Sequence, residues 1–156
     1  METRERVDLL GKVPLFFGLK AGALERIASL CGEETFARDD VIFRHGDAGD
    51  RLYVIASGSV RIGRDVPGLG EEALAVLATG AVFGEMSLLG EATRSADARA
   101  HGRCRLLSID NAALMDLLFL QKEVAYEVLW NMARLLSARL RETNDKLALL
   151  TFSSKF

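Results

Sequence analysis

The sequence of 156 residues has few residues of the kinds that build covalently or metal-stabilised folds. It contains two cysteines, Cys31 and Cys104, and two histidines, His45 and His101. Two cysteines do not make a disulfide scaffold, and a zinc or iron–sulfur centre normally needs more Cys and His ligands. We therefore expect two reduced, buried thiols, two histidines in turns, and no metal cofactor.

An excess of one charge and long apolar runs are also missing. The chain has 20 Lys and Arg against 22 Asp and Glu, so its formal net charge is -2, which argues against a protein that coats nucleic acid. The richest apolar run, 112–120, contains Asp116 and is far shorter than the roughly 20 residues of a membrane-spanning helix. The charged start, 1–6, lacks the apolar run of a signal peptide. We expect a soluble, cytoplasmic protein that contacts neither membrane nor nucleic acid directly.

Recognised catalytic motifs are absent as well. The sequence has no nucleophile-elbow motif and no recognised order of Ser, His and Asp, so an enzyme is not expected. The length fits one compact domain. We predict a single domain over 1–156, with N-terminal helices in 1–32, a β-region in 33–109 and further helices in 110–150.

What the sequence does contain is a run of short apolar or alternating segments separated by turns that carry glycine. This spacing is typical of a small antiparallel barrel or jelly roll. Apolar residues spaced by three and four predict two short helices in 4–30, on either side of Pro14 and a turn at 18–22. The predicted strands are 41–43, 52–55, 60–62, 73–77, 81–83, 95–100 and 105–109, with a hairpin loop at 67–70.

The chain after Asp110 is predicted to be helical almost to its end. Asp110 is a favourable N-cap for a helix over 111–120, and a second helix over 122–150 has no internal Gly or Pro. This helix is longer than a small barrel can cover, so it either lies across its own domain or, as we favour, pairs with a second copy. Its predicted contact stripe comprises Leu129, Met132, Leu136, Leu140, Thr143, Leu147 and Leu150.

The most informative segment is 83–96, which reads FGEMSLLGEATRSA. Gly84 permits a tight turn with close backbone approach after a strand that ends at Phe83. A short helix that starts at Glu85 would leave the first N–H groups of that helix free to bind an anion. The segment therefore predicts an anion-binding turn.

The side chains that follow suggest what the anion is. Arg94 could bring paired guanidinium hydrogen bonds to it, and Ser95 a hydroxyl. Glu85 only accepts hydrogen bonds, so it suits a ligand hydroxyl such as a ribose 2′-OH. A phosphate together with a ribose indicates a nucleotide, whereas the plain alternative is a surface ion pair between Glu85 and Arg94.

Nearly the whole chain resembles a cyclic nucleotide-binding domain of the catabolite activator protein and kinase regulatory-subunit superfamily. The similar stretches are 10–16, 41–60 and 83–96, of which the last resembles the phosphate-binding cassette of that family. The resemblance implies a mainly β fold: an eight-stranded β-roll (a double-stranded β-helix or cupin-like jelly roll) with flanking N-terminal helices and a long C-terminal helix.

The resemblance also implies ligand-binding roles. Gly84 and Glu85 would hold the ribose, Arg94 and Ser95 the cyclic phosphate, and backbone groups of the next residues would complete the cassette. The implied set in this segment is Phe83, Gly84, Glu85, Met86, Ser87, Arg94, Ser95 and Ala96.

The segment 139–147 is similar to the C-helix of the catabolite activator protein. There a threonine contacts the adenine amino group, a serine reaches from the partner subunit, and an arginine one turn earlier approaches the ribose-binding glutamate. Arg139 and Thr143 are four residues apart and share a helix face, while Asn144 stands where the serine would be. Asparagine both donates and accepts, so it could read either purine. Alternatively, Thr143 is a polar residue that sets the register of a coiled-coil seam.

Together these features predict a sensor for a cyclic nucleotide, cAMP or else cGMP, that changes its C-helix and dimer arrangement on binding. The expected partners are a second copy of the chain and a downstream effector protein. The cysteine cluster of iron–sulfur relatives is absent, which disfavours oxygen sensing. Two alternatives remain. The first is a β-roll that binds cyclic di-GMP. The second is the ligand-binding half of a transcription factor whose DNA-binding domain is not in this sequence, because 151–156 is too short for a helix-turn-helix.

Overall fold

The computed structural model describes residues 1–90 and 93–155. Within these ranges the chain begins with helices, continues as strands and ends with helices. The α-helices are α1 (Thr3–Leu10), α2 (Ala21–Leu30), α3 (Asn111–Leu120) and α4 (Lys122–Ser153), and short 3₁₀ helices cover Pro14–Phe16 and Glu85–Leu88. The strands are β1 (Cys31–Phe36), β2 (Val41–Phe43), β3 (Arg51–Ser57), β4 (Ser59–Val66), β5 (Gly70–Ala78), β6 (Val82–Phe83), β7 (Asp97–Ala100) and β8 (Cys104–Asp110).

The strands form two four-stranded antiparallel sheets, in the orders β1-β8-β3-β6 and β2-β7-β4-β5. The predicted β-roll with flanking helices is confirmed. β4 and β5 form a long hairpin whose turn lies at 67–69, inside the predicted loop. β5 has only one neighbouring strand in its sheet and is exposed along most of its length.

One strand was missing from the prediction. β1 pairs along its whole length with β8, but its sequence, CGEETF, carries a glycine and two glutamates and lacks an apolar run. A strand with one partner and a largely exposed surface does not need a strong apolar pattern. β7 is also shorter than predicted, because it begins at Asp97 rather than at residue 95.

Two strands at the centre of the first sheet separate two parts of the core. Successive side chains of a strand point to opposite faces. Leu52 and Val54 of β3 therefore pack against the helices, whereas Tyr53 and Ile55 pack between the sheets. β8 alternates in the same way, with Leu107 and Ile109 against the helices and Cys104 and Leu106 between the sheets. Burial on both faces explains the continuous apolar run 52–56 in β3.

The N-terminal helices are attached to α4 by a buried polar contact. The Asn131 side-chain amide donates to the carbonyls of Leu15 (3.1 Å) and Phe17 (2.8 Å), next to the 3₁₀ helix Pro14–Phe16. Asn131 is buried, so these bonds satisfy an amide that would otherwise be costly to remove from water. The contact joins the N-terminal segment to the C-terminal helix α4.

The C-terminal helices follow the prediction closely. Asp110 caps α3 by accepting a hydrogen bond from the Ala113 N–H (3.0 Å). α4 packs on the domain through Val128 and Met132, but every residue from 141 to 153 is exposed. The second half of α4 is therefore left largely uncovered by the rest of the domain. Among residues 1–90 and 93–155, no helix combines the length and the apolar character needed to span a membrane.

Candidate ligand-binding site

A cavity of about 340 Å³ lies between the second sheet, the turn after β6 and the middle of α4. Ten of the eleven predicted site residues line it, and Asn144 does not. The lining residues that were predicted are Phe83, Gly84, Glu85, Met86, Ser87, Arg94, Ser95, Ala96, Arg139 and Thr143. Residues 91 and 92 of the informative segment lie outside the described residues.

The turn into the site requires glycine for two reasons. Gly84 has φ of 76°, in the left-handed region that residues with a Cβ rarely adopt. A Cβ at this position would also lie 2.7 Å from Nη1 of Arg94. The turn leads into the 3₁₀ helix Glu85–Leu88, at the place where the sequence predicted a short helix. The first N–H groups of such a helix have no partner within it.

Arg94 is a buried cation at the inner wall of the cavity. It is 5% exposed, and its Nη2 donates to the carbonyl of Arg51 (2.6 Å). Its Nη1 donates to the carbonyl of Gly84 (3.2 Å) and to Oγ of Ser87 (3.3 Å). The Nε atom is buried without a hydrogen-bond partner, and no carboxylate of the described residues lies within 4 Å of the guanidinium. Burial lowers the pKa of Arg94, since a low-dielectric environment disfavours the charged form.

The ring of Phe43 packs against Arg94. The guanidinium lies 4.2 Å from the centroid of the Phe43 ring, close enough for a cation–π interaction. Phe43 in turn contacts Tyr53 and Phe83, and the last two rings stack at 5.1 Å. The Phe43 ring restrains the plane of the guanidinium and thereby the direction of its two remaining N–H groups, on Nε and Nη2.

Glu85 is the buried anion of the site. It is 1% exposed and forms an ion pair with Arg139 of α4. Arg139 also donates from Nη2 to the carbonyl of Val82 (3.0 Å), and burial lowers its pKa. The surface ion pair between Glu85 and Arg94 that we considered as the plain alternative is not formed. Each charge is instead buried with a different partner.

One face of α4 lines the cavity, through residues that are one helical turn apart. Thr143 lies four residues after Arg139 and donates from Oγ1 to the carbonyl of Arg139 (2.9 Å). Asn144 is exposed and lies outside the lining of the cavity in this chain. Its predicted role is as a contact from a partner subunit, and that role stays a prediction.

Several lining residues were not predicted. Glu142 and Lys146 of α4 could have been found, because they lie three and seven residues after Arg139 and so share its helix face. Leu74, Leu77 and Ile62 could not, because the sequence does not show which face of the β4–β5 hairpin turns toward the cassette. These three side chains supply an apolar part of the cavity lining.

The site offers no sign of metal chemistry in the ranges 1–90 and 93–155, where no group of three or more His, Cys, Asp or Glu side chains could hold a metal ion. Its parts are instead those of a pocket for an organic anion: a buried cation, a buried carboxylate and apolar walls. The fold and this site define the class of β-roll domains that bind small ligands under a C-terminal helix.

Comparison with known proteins specifies the class. The family model for the cyclic nucleotide-binding domain matches residues 33–120, more than half of the chain. The chain belongs to the cyclic nucleotide-binding domain family.

The chain is similar to bacterial regulators over most of its length. It is 40% identical over 139 residues to a cyclic AMP receptor protein of Thermus thermophilus, covering 89% of this chain and 62% of that protein. It is 32% identical over 146 residues to a CRP-like cAMP-activated global transcriptional regulator of Mycobacterium tuberculosis, covering 94% and 63%. The chain thus spans less than two thirds of the length of these relatives.

A solved structure extends the comparison to a different ligand. The c-di-GMP responsive global regulator of Xanthomonas campestris superposes with a TM-score of 0.74 at 30% identity. The match covers 85% of this chain and 65% of that one. The β-roll of this family therefore occurs in regulators described with more than one cyclic nucleotide.

Proposed function

We propose that the chain is a sensor that binds cAMP, with the cyclic phosphate on Arg94 and the ribose 2′-OH on Glu85. The observation that carries the proposal is the state of Arg94. It is a buried guanidinium without an acidic partner among the described residues, and it lines a cavity large enough for a small ligand.

A buried charge is costly unless an opposite charge or a full set of hydrogen bonds compensates it. Arg94 has three acceptors, two carbonyls and one hydroxyl, and its Nε–H group has none. The second N–H group of Nη2 also has no acceptor among the described residues, so an anion in the cavity would supply two missing acceptors and the missing charge. A cyclic phosphate carries one negative charge on two exposed oxygens, which suits the paired geometry of a guanidinium.

Glu85 supports a ribose next to the phosphate. Its carboxylate is buried at the start of the 3₁₀ helix, and a carboxylate has more acceptor positions than one arginine fills. A 2′-OH can therefore donate to Glu85 while Arg139 remains paired with it. This arrangement would join the ligand to α4 through two neighbouring bonds.

Thr143 and the size of the cavity support a purine mononucleotide with an amino group. The Thr143 hydroxyl already uses its one donor within the helix, which leaves its oxygen free to accept from an exocyclic amine such as that of adenine. The cavity of about 340 Å³ is near the lower end for small-ligand sites. A cyclic dinucleotide is about twice as large as the ligand we propose.

The output of the sensor would be a shift in the population of α4 arrangements. Ligand that contacts Thr143, and Arg139 through Glu85, would favour the helix position in which both residues line the cavity. The exposed second half of α4 offers Leu140, Leu147 and Leu150 to a second copy, so we propose a homodimer through this helix. In such a dimer Asn144 would act on the ligand of the partner.

Two further candidates rest on the comparisons. The relative described as responsive to c-di-GMP makes that ligand the main competitor. The two curated relatives are longer than this chain and are named as a receptor and a transcriptional regulator. The chain would then be the sensing part of a regulator that acts through a further domain or a partner protein.

The experiment that tests the proposal is a calorimetric titration with cAMP, cGMP and cyclic di-GMP, with 5′-AMP as the control. 5′-AMP keeps the base and the ribose but lacks the cyclic phosphate. We expect the tightest binding for cAMP, one ligand per chain. Tighter binding of cyclic di-GMP would replace the ligand assignment, and no binding of any cyclic nucleotide would overturn the proposal.

A further inference from the structure

The first residue of α3, Asn111, makes a contact with the cassette that capping of the helix does not require. Its side-chain amide Nδ2 donates to Oγ of Ser87 (2.9 Å), 24 residues away in sequence. The capping bond of α3 is made by the residue before it, since Asp110 accepts from the Ala113 N–H. The Asn111 side chain is therefore available for another role.

The Ser87 hydroxyl is the centre of a saturated network. It donates to the carbonyl of Gly84 (2.8 Å) and accepts from Asn111 and from Nη1 of Arg94 (3.3 Å). A hydroxyl has one donor and two acceptor positions, so all three are in use. Rotating the hydroxyl away from this orientation would break a bond to Arg94, to Gly84 or to Asn111.

The two ends of the network are attached to two neighbouring residues, Asp50 just before β3 and Arg51 at its start. The Asn111 backbone N–H donates to the carbonyl of Asp50 (2.9 Å), and Nη2 of Arg94 donates to the carbonyl of Arg51 (2.6 Å). The start of α3 and the guanidinium are thus held in a fixed relation by backbone groups. The Ser87 hydroxyl links the Asn111 side chain to the Arg94 guanidinium, because it accepts a hydrogen bond from each.

The Asn111 amide is held in this orientation although its oxygen has no partner. Oδ1 of Asn111 is buried and makes no hydrogen bond with the described residues. An unsatisfied buried acceptor reduces stability, and such groups call for an explanation in a native structure. The hydrogen bond from Asn111 to Ser87 gives such an explanation, because it requires the amide to keep this orientation.

We propose that Asn111 is a positioning residue of the anion site, which orients the Ser87 hydroxyl and through it the guanidinium of Arg94. The inference rests on the proposed function, because it assigns Arg94 to the phosphate of the ligand. It also implies that the start of α3 and the anion site move together. A ligand that pulls Arg94 would then act on α3, and from α3 on the adjoining α4.

The test compares Asn111→Ala with Asp110→Ala by calorimetric titration with cAMP. Asp110→Ala removes the N-cap of the same helix but leaves the bond to Ser87 in place. It therefore measures how much affinity is lost when only the start of α3 is destabilised. We expect Asn111→Ala to weaken binding about 3- to 10-fold, the effect of one hydrogen bond, and Asp110→Ala to have less than half of that effect. Equal affinities of Asn111→Ala and the unmodified chain, or equal losses in both variants, would overturn the inference.

A double-mutant cycle with Ser87→Ala shows whether Asn111 acts through that hydroxyl. If it does, Asn111→Ala adds almost nothing in the Ser87→Ala background, whereas independent effects would multiply and contradict the inference. If Asn111→Ala does not fold, Asn111→Ser takes its place, because serine suits a helix start but is too short to reach Ser87. Failure of the unmodified chain to bind any cyclic nucleotide would count against the proposed function, whereas normal binding with no coupling counts against this inference alone.

Discussion

At the scale of single residues, the site consists of two opposite charges that are buried with separate partners. Arg94 is held by the carbonyls of Gly84 and Arg51, and Glu85 is paired with Arg139. This separation suits the proposed function, because a direct pair between Glu85 and Arg94 would neutralise the cation proposed to bind the phosphate.

The sequence predicted the members of the site better than their contacts. Gly84, Glu85 and Arg94 lie close together in the chain, so a turn followed by a short helix was enough to bring them to one place. The carbonyl of Arg51 and the ring of Phe43 come from distant strands, and the local pattern carries no information on them.

The proposed role of Glu85 predicts a specific dependence on the ribose. Glu85→Gln removes the charged acceptor for the 2′-OH and should weaken cAMP binding about 10- to 100-fold, since a hydrogen bond to a charged group contributes about 1.5–3 kcal/mol. The control is 2′-deoxy-cAMP, which lacks that hydroxyl. Calorimetry should show that the unmodified chain prefers cAMP to the deoxy ligand and that Glu85→Gln hardly distinguishes them. An unchanged preference in the variant would mean that Glu85 does not hold the ribose.

The Gly84 turn predicts two separable losses. Gly84→Ala and Gly80→Ala both place a Cβ at positive φ, 76° and 88°, which costs roughly 1–2 kcal/mol of stability. Only at position 84 does the new Cβ meet Arg94, because nothing lies within 4 Å of it at position 80. Urea unfolding should show a loss of stability in both variants, and titration should show weaker cAMP binding in Gly84→Ala alone. Equal binding by the two variants would contradict the account of this turn.

At the scale of elements, α4 has two halves with different surroundings. The first half packs on the domain through Val128 and Met132. The second half begins at the cavity, which Arg139 and Thr143 line, and every residue from 141 to 153 is exposed. The sequence predicted that this helix is long and uninterrupted, because it contains no internal Gly or Pro. β1 was not readable, because its stability comes from pairing with β8 and not from its own apolar pattern.

The exposed half of α4 predicts which leucines hold a dimer together. Leu147 belongs to the predicted stripe and Leu149 does not, although both are largely exposed, at 56% and 68%. Leu147→Gln should therefore shift the light-scattering mass from twice 17.1 kDa toward 17.1 kDa, and Leu149→Gln should not. An unmodified chain that has the mass of one copy at micromolar concentration would refute the dimer.

At the scale of the whole molecule, the core consists of a helix-facing part and a part between the sheets. Cys31 belongs to the helix-facing part, at the junction of α2 and β1, and its thiol donates to the carbonyl of Ile27 (3.4 Å). Burial raises the pKa of Cys31 from its ordinary value near 9 to about 11. Folding therefore favours the protonated thiol.

This shift predicts a loss of stability at alkaline pH. The contribution of Cys31 is fully present below pH 9 and is lost as the pH rises from about 9 through 11, because the unfolded chain releases its proton first. Between pH 8 and pH 10.5 the unmodified chain should lose about 2 kcal/mol more than Cys31→Ala in urea unfolding. Parallel pH profiles of the two proteins would show that the thiol is not buried as described.

The central claim is that the buried guanidinium of Arg94 is the site of the ligand phosphate. The most direct measurement is a calorimetric titration of cAMP into the unmodified chain and into Arg94→Ala. We predict one ligand per chain and a loss of affinity of 10- to 100-fold or more in the variant, because the charged hydrogen bonds to the phosphate are removed. Equal affinity of the two proteins, or no binding by the unmodified chain, would contradict the account.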